Sequence, residues 1–97
     1  MVVIAKRAIN GFIEKYPASA KVMLEWYLKT KESSWTNFAD VKKVFGATDS
    51  VGNGLYVFNV GGNKYRLIAR IIFGARTVFI RFIGTHKEYD KINLSDL

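Results

Sequence analysis

The chain has no cysteine, a single proline, 8 acidic against 15 basic residues, and no long apolar run. Without cysteine it forms neither a disulfide scaffold nor a thiolate metal site. One histidine and scattered carboxylates are a poor ligand supply for zinc or iron, so we expect no metal and no cofactor. No stretch approaches the ~18 apolar residues of a membrane span, and the opening residues are unlike a signal peptide. We therefore expect a cytoplasmic protein with no membrane partner.

The composition that remains is typical of a small basic globular protein. A length of 97 residues predicts one domain, residues 1–97, and 49% hydrophobic residues supply enough material for its core. The formal net charge of +7 favours a polyanionic partner, meaning nucleic acid or the ribosome, or else an acidic protein segment.

Apolar spacing in the first half predicts a short strand followed by three helices. The β-branched run is Val2 to Ala5, a first helix runs from Lys6 to about Tyr16, a second follows Pro17 to about Lys31, and a third begins after the N-cap Asn37 and ends at Gly46. The predicted apolar faces are Val22, Leu24, Trp26, Tyr27 and Leu28 on the second helix, and Phe38, Val41, Val44 and Phe45 on the third. Residues 47–54 are interpreted as a loop.

From Leu55 onward the apolar period becomes two, which indicates strands. The predicted strands are Leu55 to Val60, Asn63 to Phe73 and Thr77 to Thr85, with tight turns at Gly61-Gly62 and Gly74-Ala75. The tail is expected to dock loosely through Ile92, Leu94 and Leu97. The fold prediction is α+β, in the order β-α-α-α-β-β-β, with the helices on one face of a mainly antiparallel sheet.

Strand parity separates the residues of the long strand into two faces. Tyr65, Leu67, Ala69, Ile71 and Phe73 are predicted to face the helices, which leaves Lys64, Arg66, Ile68, Arg70 and Ile72 on the opposite face. An even turn places Arg81 across from Ile68, whereas an odd turn would bury its charge. We prefer the even turn, which also sends Val78, Ile80 and Phe82 inward.

The prediction that follows is an exposed sheet face carrying Arg66, Arg70 and Arg81 as an anion site. Arginines on an open face can also be solvated edge protection or partners of acids. The exposed positions of these strands, however, carry no Asp or Glu to pair with them.

His86 follows the last predicted strand and is the natural candidate for proton transfer. Metal-free RNA cleavage by the substrate's own 2′-hydroxyl needs a base, an acid and cations that hold the phosphate. Arg66, Arg70 and Arg81 would supply the cations; Tyr89 and Lys87 are alternative proton-transfer groups. His86 can instead be an ordinary hydrogen-bonded surface residue, and the Tyr89 ring can simply hold the tail.

Further lysines extend the basic surface. Lys64 and Lys87 are predicted to steer an RNA backbone, and Lys42 and Lys43 on the third helix form a fringe for RNA or an acidic partner. A solvated helix face explains Lys42 and Lys43 equally well. Three aromatic residues could stack on bases, although their helical spacing favours core packing: Trp26, Trp35 and Phe45.

Three segments together resemble the HigB family, RelE-like toxins of type II toxin–antitoxin modules. They are Trp35 to Lys42, Val57 to Leu67 and, most specifically, Arg81 to Lys91, which reads Arg-Phe-Ile-Gly-Thr-His-Lys-Glu-Tyr-Asp-Lys. The resemblance implies a RelE-like fold and an mRNA interferase that acts on messages at the ribosome and is neutralised by a HigA-type helix-turn-helix antitoxin.

The positions that match for function are Arg66, Arg70, Arg81, His86 and Tyr89. The competing hypothesis is a non-catalytic module that binds RNA or the ribosome with the same basic face. The chain has no helix-turn-helix spacing of its own, so we expect no direct DNA readout.

Overall fold

A computed structural model describes residues 1–97 as five strands and four α-helices. In chain order they are β1 (Val2–Ile4), α1 (Lys6–Lys15), α2 (Ala20–Glu32), α3 (Phe38–Val44), β2 (Thr48–Gly52), β3 (Leu55–Val60), β4 (Tyr65–Ile72), β5 (Thr77–Thr85) and α4 (His86–Tyr89). Short 3₁₀ turns span Pro17–Ser19, Phe73–Ala75 and Leu94–Asp96. No helix combines the length and the apolar composition that a membrane span requires.

The five strands form one sheet in the order β1-β5-β4-β3-β2. β1 is parallel to β5, which needs a long crossover that the helices provide, and all the other neighbours are antiparallel. This arrangement confirms the predicted α+β class and the mainly antiparallel sheet. β1 pairs only with Thr77 to Phe79, so the edge of β5 from Ile80 onward has no strand beside it.

The helix boundaries follow the local signals in the sequence. α1 ends at Lys15, and Pro17 opens the short turn that leads into α2. The Asn37 side chain accepts a hydrogen bond from the backbone N–H of Asp40, as predicted for an N-cap. The Asp40 carboxylate in turn accepts from the backbone N–H of Thr36 at 2.9 Å, which fixes the chain entering α3.

The helices cover the inner face of the sheet. Leu67, Ala69 and Ile71 belong to the main core with Trp26 of α2, which confirms the predicted parity of β4. Trp26 and Trp35 are almost fully buried, so neither is available to stack on bases. The predicted face of α2 was wrong in part, because Met23, Trp26 and Thr30 form its buried side.

Some of the predicted core residues lie outside the core, on the far side of α2 and on α3. Leu24, Leu28 and Val44 are exposed. α2 is apolar on more than one face, and only packing decides which of its faces is covered.

The structure contains one strand that the sequence analysis missed. β2 falls in residues 47–54, which were expected to be a loop, and pairs antiparallel with β3. Only Thr48 of this polar edge strand is buried. The sequence of β2 shows no apolar alternation, so its strand conformation depends on its pairing with β3.

The turn between β3 and β4 is two residues longer than predicted. Val60 pairs with Tyr65, so the turn has four residues, 61–64, and Phe58 pairs with Leu67 instead of Tyr65. Gly61 and Gly62 have φ values of 67° and 68°, a backbone region that favours glycine. A register shift of two residues leaves every side chain on its predicted face.

The pairing of β4 with β5 follows the predicted register next to the loop and then shifts. The loop has the expected even count, and Ala69 pairs with Ile80. A bulge follows, in which Arg81 is the extra residue and Phe82 takes the position opposite Ile68. The prediction that Arg81 itself faces Ile68 is therefore wrong, and Ile83 joins the inner core in place of Phe82.

The outer face of the sheet was predicted to be exposed, but part of it is covered. A second small core forms there, with Leu55, Val57 and Ile68 covered by residues of the tail. The tail and β5 residues that pack on these three are Phe82, Tyr89, Ile92, Leu94 and Leu97. The tail thus docks where β3 and β4 present aliphatic side chains, and it leaves part of the outer face for the site described next.

Candidate active site

Arg66 and His86 are in direct contact at one end of the sheet. Arg66 Nη2 lies 2.8 Å from His86 Nδ1. Arg66 pairs with Gly84 across β4 and β5, and β5 ends one residue later, so His86 begins α4 beside the guanidinium. The backbone N–H of His86 also donates to the carbonyl of Lys64 at 3.1 Å, which fixes the start of α4 against the turn before β4.

Arg66 is a cation with little solvent and no acidic partner. The residue is 7% exposed and forms no ion pair. Its remaining protein hydrogen bond runs from Nη1 to the carbonyl of Tyr65 at 3.2 Å, so most of its five N–H donors have no acceptor within the chain. A desolvated guanidinium in this state attracts an anion strongly, because few protein dipoles offset its charge.

The contact with Arg66 determines where His86 carries its proton. A guanidinium only donates, so Nδ1 must accept, and the neutral ring carries its hydrogen on Nε2. Asp90 Oδ2 lies 3.6 Å from Nε2, one helical turn further on. The imidazole therefore lies between a cation at one nitrogen and a carboxylate at the other, and both His86 and Asp90 are open to solvent.

Tyr89 supports the guanidinium from its ring face. The Arg66 Cζ atom lies 5.9 Å from the centroid of the Tyr89 ring, within cation–π range. The same ring packs on the outer core with the tail. The alternative in which Tyr89 holds the tail is thus realised, and the ring also positions Arg66.

A capping box holds α4 in place. The Thr85 hydroxyl accepts from the backbone N–H of Glu88, and the Glu88 carboxylate accepts from the backbone N–H of Thr85 at 2.8 Å. Lys15 Nζ and the Tyr16 hydroxyl approach the same carboxylate from α1, at 3.4 and 3.3 Å. The backbone hydrogen bond from Thr85 is the main cause that holds the pKa of Glu88 below its ordinary value of 4.5. Burial opposes this effect, and the Lys15 ammonium adds to the lowering.

Gly84 lets the Phe82 ring lie against β5. A Cβ atom at position 84 would lie 2.5 Å from Phe82 Cζ and 3.1 Å from the Cβ of Glu88. No side chain fits there without moving the ring. The absence of a side chain at Gly84, opposite Arg66, therefore helps to set the packing between β5 and α4.

The other two predicted arginines do not join this site. Arg70 donates through Nη2 to the main-chain oxygen of Leu97 at 3.1 Å, and through Nη1 to the carbonyl of Asn53. Arg81 is exposed and lines a depression beside α1. The predicted single exposed face with three arginines is wrong, because the tail occupies Arg70 and the bulge redirects Arg81.

The predicted lysines divide in the same way. Lys64 and Lys87 are exposed and lie next to the Arg66–His86 contact in the chain. Lys42 donates to the carbonyls of Gly46 and Thr48, at 2.7 and 3.2 Å, and so ties the end of α3 to β2. Lys43 is exposed on α3. Lys64 and Lys87 adjoin the site, whereas Lys42 is occupied by the fold.

Several residues at the site escaped the sequence analysis. Thr85 and Glu88 have the Ser/Thr-x-x-Glu spacing of a capping box, a signal that the sequence contains and that would have placed His86 on a helix. Asp90, one helical turn after His86, was given no role in the sequence analysis. No sequence signal links Lys15 of α1 to Glu88, since that contact depends on the packing of two distant segments.

A family model described as "HigB_toxin, RelE-like toxic component of a toxin-antitoxin system" matches residues 19–92. The chain belongs to the HigB family of RelE-like toxins. An Escherichia coli K12 protein named mRNA interferase toxin HigB is 35% identical over 93% of this chain and 88% of its own length. The mRNA interferase HigB of Escherichia coli O6:H1 strain CFT073 is 33% identical over 95% of this chain and 91% of its own. HigB family membership implies an antitoxin partner and an RNA substrate.

Proposed function

We propose that this chain is an mRNA interferase, an endoribonuclease that cuts messages on the ribosome without a metal ion and is neutralised by a HigA-type helix-turn-helix antitoxin. The Arg66 guanidinium carries this proposal. It is nearly buried, lacks an acidic partner and donates to an imidazole. A phosphodiester is the common ligand that needs both a desolvated cation and a neighbouring proton acceptor.

The contact between Arg66 and His86 provides a base that substrate binding releases. A phosphate oxygen draws the guanidinium towards itself, and the lone pair on His86 Nδ1 becomes free. Nδ1 then accepts the proton of the 2′-hydroxyl while the 2′-oxygen bonds to phosphorus. Asp90, on the Nε2 side at 3.6 Å, stabilises the imidazolium that forms.

The remaining proton goes to the leaving group. The bond from phosphorus to the 5′-oxygen breaks, and that oxygen takes a proton from Tyr89 or Lys87. One fragment ends in a 2′,3′-cyclic phosphate and the other in a 5′-hydroxyl. The imidazolium returns its proton to solvent, and the proton donor recovers one, so the site is restored without a cofactor.

The surrounding cations guide the RNA backbone. Lys64 and Lys87 flank the site and contribute attraction for phosphates at neighbouring positions. Lys43, exposed on α3, extends the basic surface towards ribosomal RNA. Arg70 holds the tail and has no part in the chemistry. The chain itself does not read DNA, because it has no helix-turn-helix spacing of its own.

Induced expression with mapping of RNA 5′ ends tests the proposal. Wild-type chain should arrest growth and create new 5′-hydroxyl ends inside translated messages, and cleavage should persist in EDTA when ribosome integrity is separately maintained. Arg66→Gln should suppress both effects, whereas Arg76→Ala, an exposed arginine bonded to Ser34 at the far end of β5, should not. Arrest with unchanged message ends would identify a non-catalytic binding module instead.

A further inference from the structure

A depression of about 370 Å³ lies between α1 and the part of β5 that β1 does not cover. Four residues of α1 and four of β5 line it: Ala8, Gly11, Phe12, Lys15, Ile80, Arg81, Phe82 and Ile83. Its lining is mainly apolar, with one cation contributed from each side. The active-site contact between Arg66 and His86 is not part of it.

Arg81 is a free cation at this depression. It is the extra residue of the β5 bulge, it is exposed, and its guanidinium makes no hydrogen bond or ion pair. Lys15 faces it from α1; its side chain is 66% exposed and its nearest acid is Glu88 at 3.4 Å. Glu88 therefore offsets part of the Lys15 charge, whereas no carboxylate pairs with Arg81.

One of the residues that line the depression contacts α4. Lys15 contacts Glu88, which caps the short helix that begins with His86. Along β5, Arg81 and His86 are five residues apart, about 16 Å in an extended chain. A single strand of RNA that passes the cleavage site can therefore reach the depression within a few nucleotides.

A bulge with a charged residue also protects a strand edge from aggregation. Edge protection alone does not require an apolar floor or a second cation on the facing helix. Both features suit a nucleotide, whose base takes apolar contacts and whose phosphate takes charge-assisted hydrogen bonds.

We propose that the depression between α1 and β5 binds a nucleotide beyond the cleaved bond, with Arg81 and Lys15 on its phosphate and with the half-buried Ile80 and Phe82 against its base. This assignment rests on the proposed endoribonuclease function and gives Arg81 a binding role away from the reacting atoms. It also explains why an arginine in the most family-like segment lies outside the Arg66–His86 contact.

Binding of short RNAs of increasing length tests this subsite. The probes carry a 2′-O-methyl group on every ribose, which prevents 2′-hydroxyl attack, and range from two to eight nucleotides. Wild-type affinity should increase with length. Arg81→Ala should weaken binding of the longest probe by about tenfold, the loss of a charge-assisted hydrogen bond, and should flatten the length dependence.

Salt dependence separates a phosphate contact from an indirect effect. The slope of log K against log salt is negative, and its magnitude should be smaller by about 0.7 in Arg81→Ala and by about 1.4 when Lys15→Ala is added, because each phosphate contact on a single strand contributes about 0.7 to the slope. Arg76→Ala is the matched control and should retain the wild-type slope. Thermal unfolding of each variant confirms that the fold is intact.

Two results would overturn the subsite. One is an Arg81→Ala variant with wild-type length dependence and salt slope while Arg66→Gln abolishes cleavage, which leaves the proposed function standing. The other is an Arg81→Ala variant with unchanged RNA affinity that no longer binds the proposed antitoxin, which would assign the depression to a protein partner. Failure of the proposed function appears separately, as unimpaired cleavage by Arg66→Gln.

Discussion

Arg66 and Arg70 lie four residues apart on the same outer face of β4, yet the structure uses them differently. Arg66 donates to an imidazole and to one carbonyl, and it meets an aromatic ring. Arg70 donates to main-chain oxygens of a loop and of the tail, which satisfy it within the fold. Residue type and strand parity are the same for both, so the acceptors that pack over each arginine decide whether it is available to a ligand.

The same substitution at both arginines, Arg66→Gln and Arg70→Gln, tests this difference directly, and the effect of Arg66→Gln on cleavage is the largest that we expect. Arg66→Gln should reduce cleavage by about 10²- to 10³-fold, the usual loss of a donor to the reacting phosphate. The free energy of unfolding should change little, because a buried charge without an acidic partner contributes little net stability. Cleavage of a defined message on translating ribosomes measures the first effect, and urea unfolding the second.

Arg70→Gln should show the opposite pattern. Loss of its hydrogen bonds to Leu97 and Asn53 should lower the free energy of unfolding by about 1–3 kcal/mol. Hydrogen exchange of residues 92–97 should accelerate, because the tail loses its anchor, while cleavage stays within a few-fold of wild type. Equal losses of cleavage in both variants would mean that the two arginines act together on the phosphate, as the sequence analysis first predicted.

Whether a feature of the fold could be predicted from the sequence depends on how far apart in the chain the interacting residues lie. Strand parity placed Leu67 and Ile71 inside, and the even loop count was also predicted, because both depend on local alternation and turn residues. The bulge at Arg81 has no such local signal in the sequence, and it alone shifts the register of β5 against β4 from Phe82 onward.

The site was foreseen in part for the same reason. Arg66 and His86 are adjacent because the strand that carries one returns beside the other, a consequence of hairpin topology. The tail that captures Arg70 was visible as three spaced aliphatic residues, but their spacing does not identify the surface on which they dock. Propensity also missed β2, whose pairing with β3 is a tertiary effect.

A prediction of intermediate size disturbs the surroundings of Arg66 and leaves those of Arg70 unchanged. Gly84→Ala would place a Cβ 2.5 Å from Phe82 Cζ, so the ring must shift. Overpacking of this kind costs about 1–3 kcal/mol, measured as a lower free energy of unfolding. Because Gly84 pairs with Arg66, cleavage should fall as well. Gly74→Ala is the control, since nothing lies within 4 Å of a Cβ there. Wild-type cleavage by Gly84→Ala would show that the site tolerates movement of β5.

The smallest expected effect concerns the charge on Glu88, which holds α4 and therefore His86 beside Arg66. The folded-state pKa of Glu88 is lowered, so its contribution to stability is complete well above the ordinary value of 4.5 and is lost as the pH falls through the lower folded value. Because the carboxylate is partly exposed, we expect a loss below about 1 kcal/mol.

Glu88→Gln keeps the geometry of the capping box without the charge, so its unfolding free energy should depend less on pH between about 5 and 3 than that of wild type. Identical pH profiles for the two proteins would show that the hydrogen bond, and not the charge, holds α4 in place.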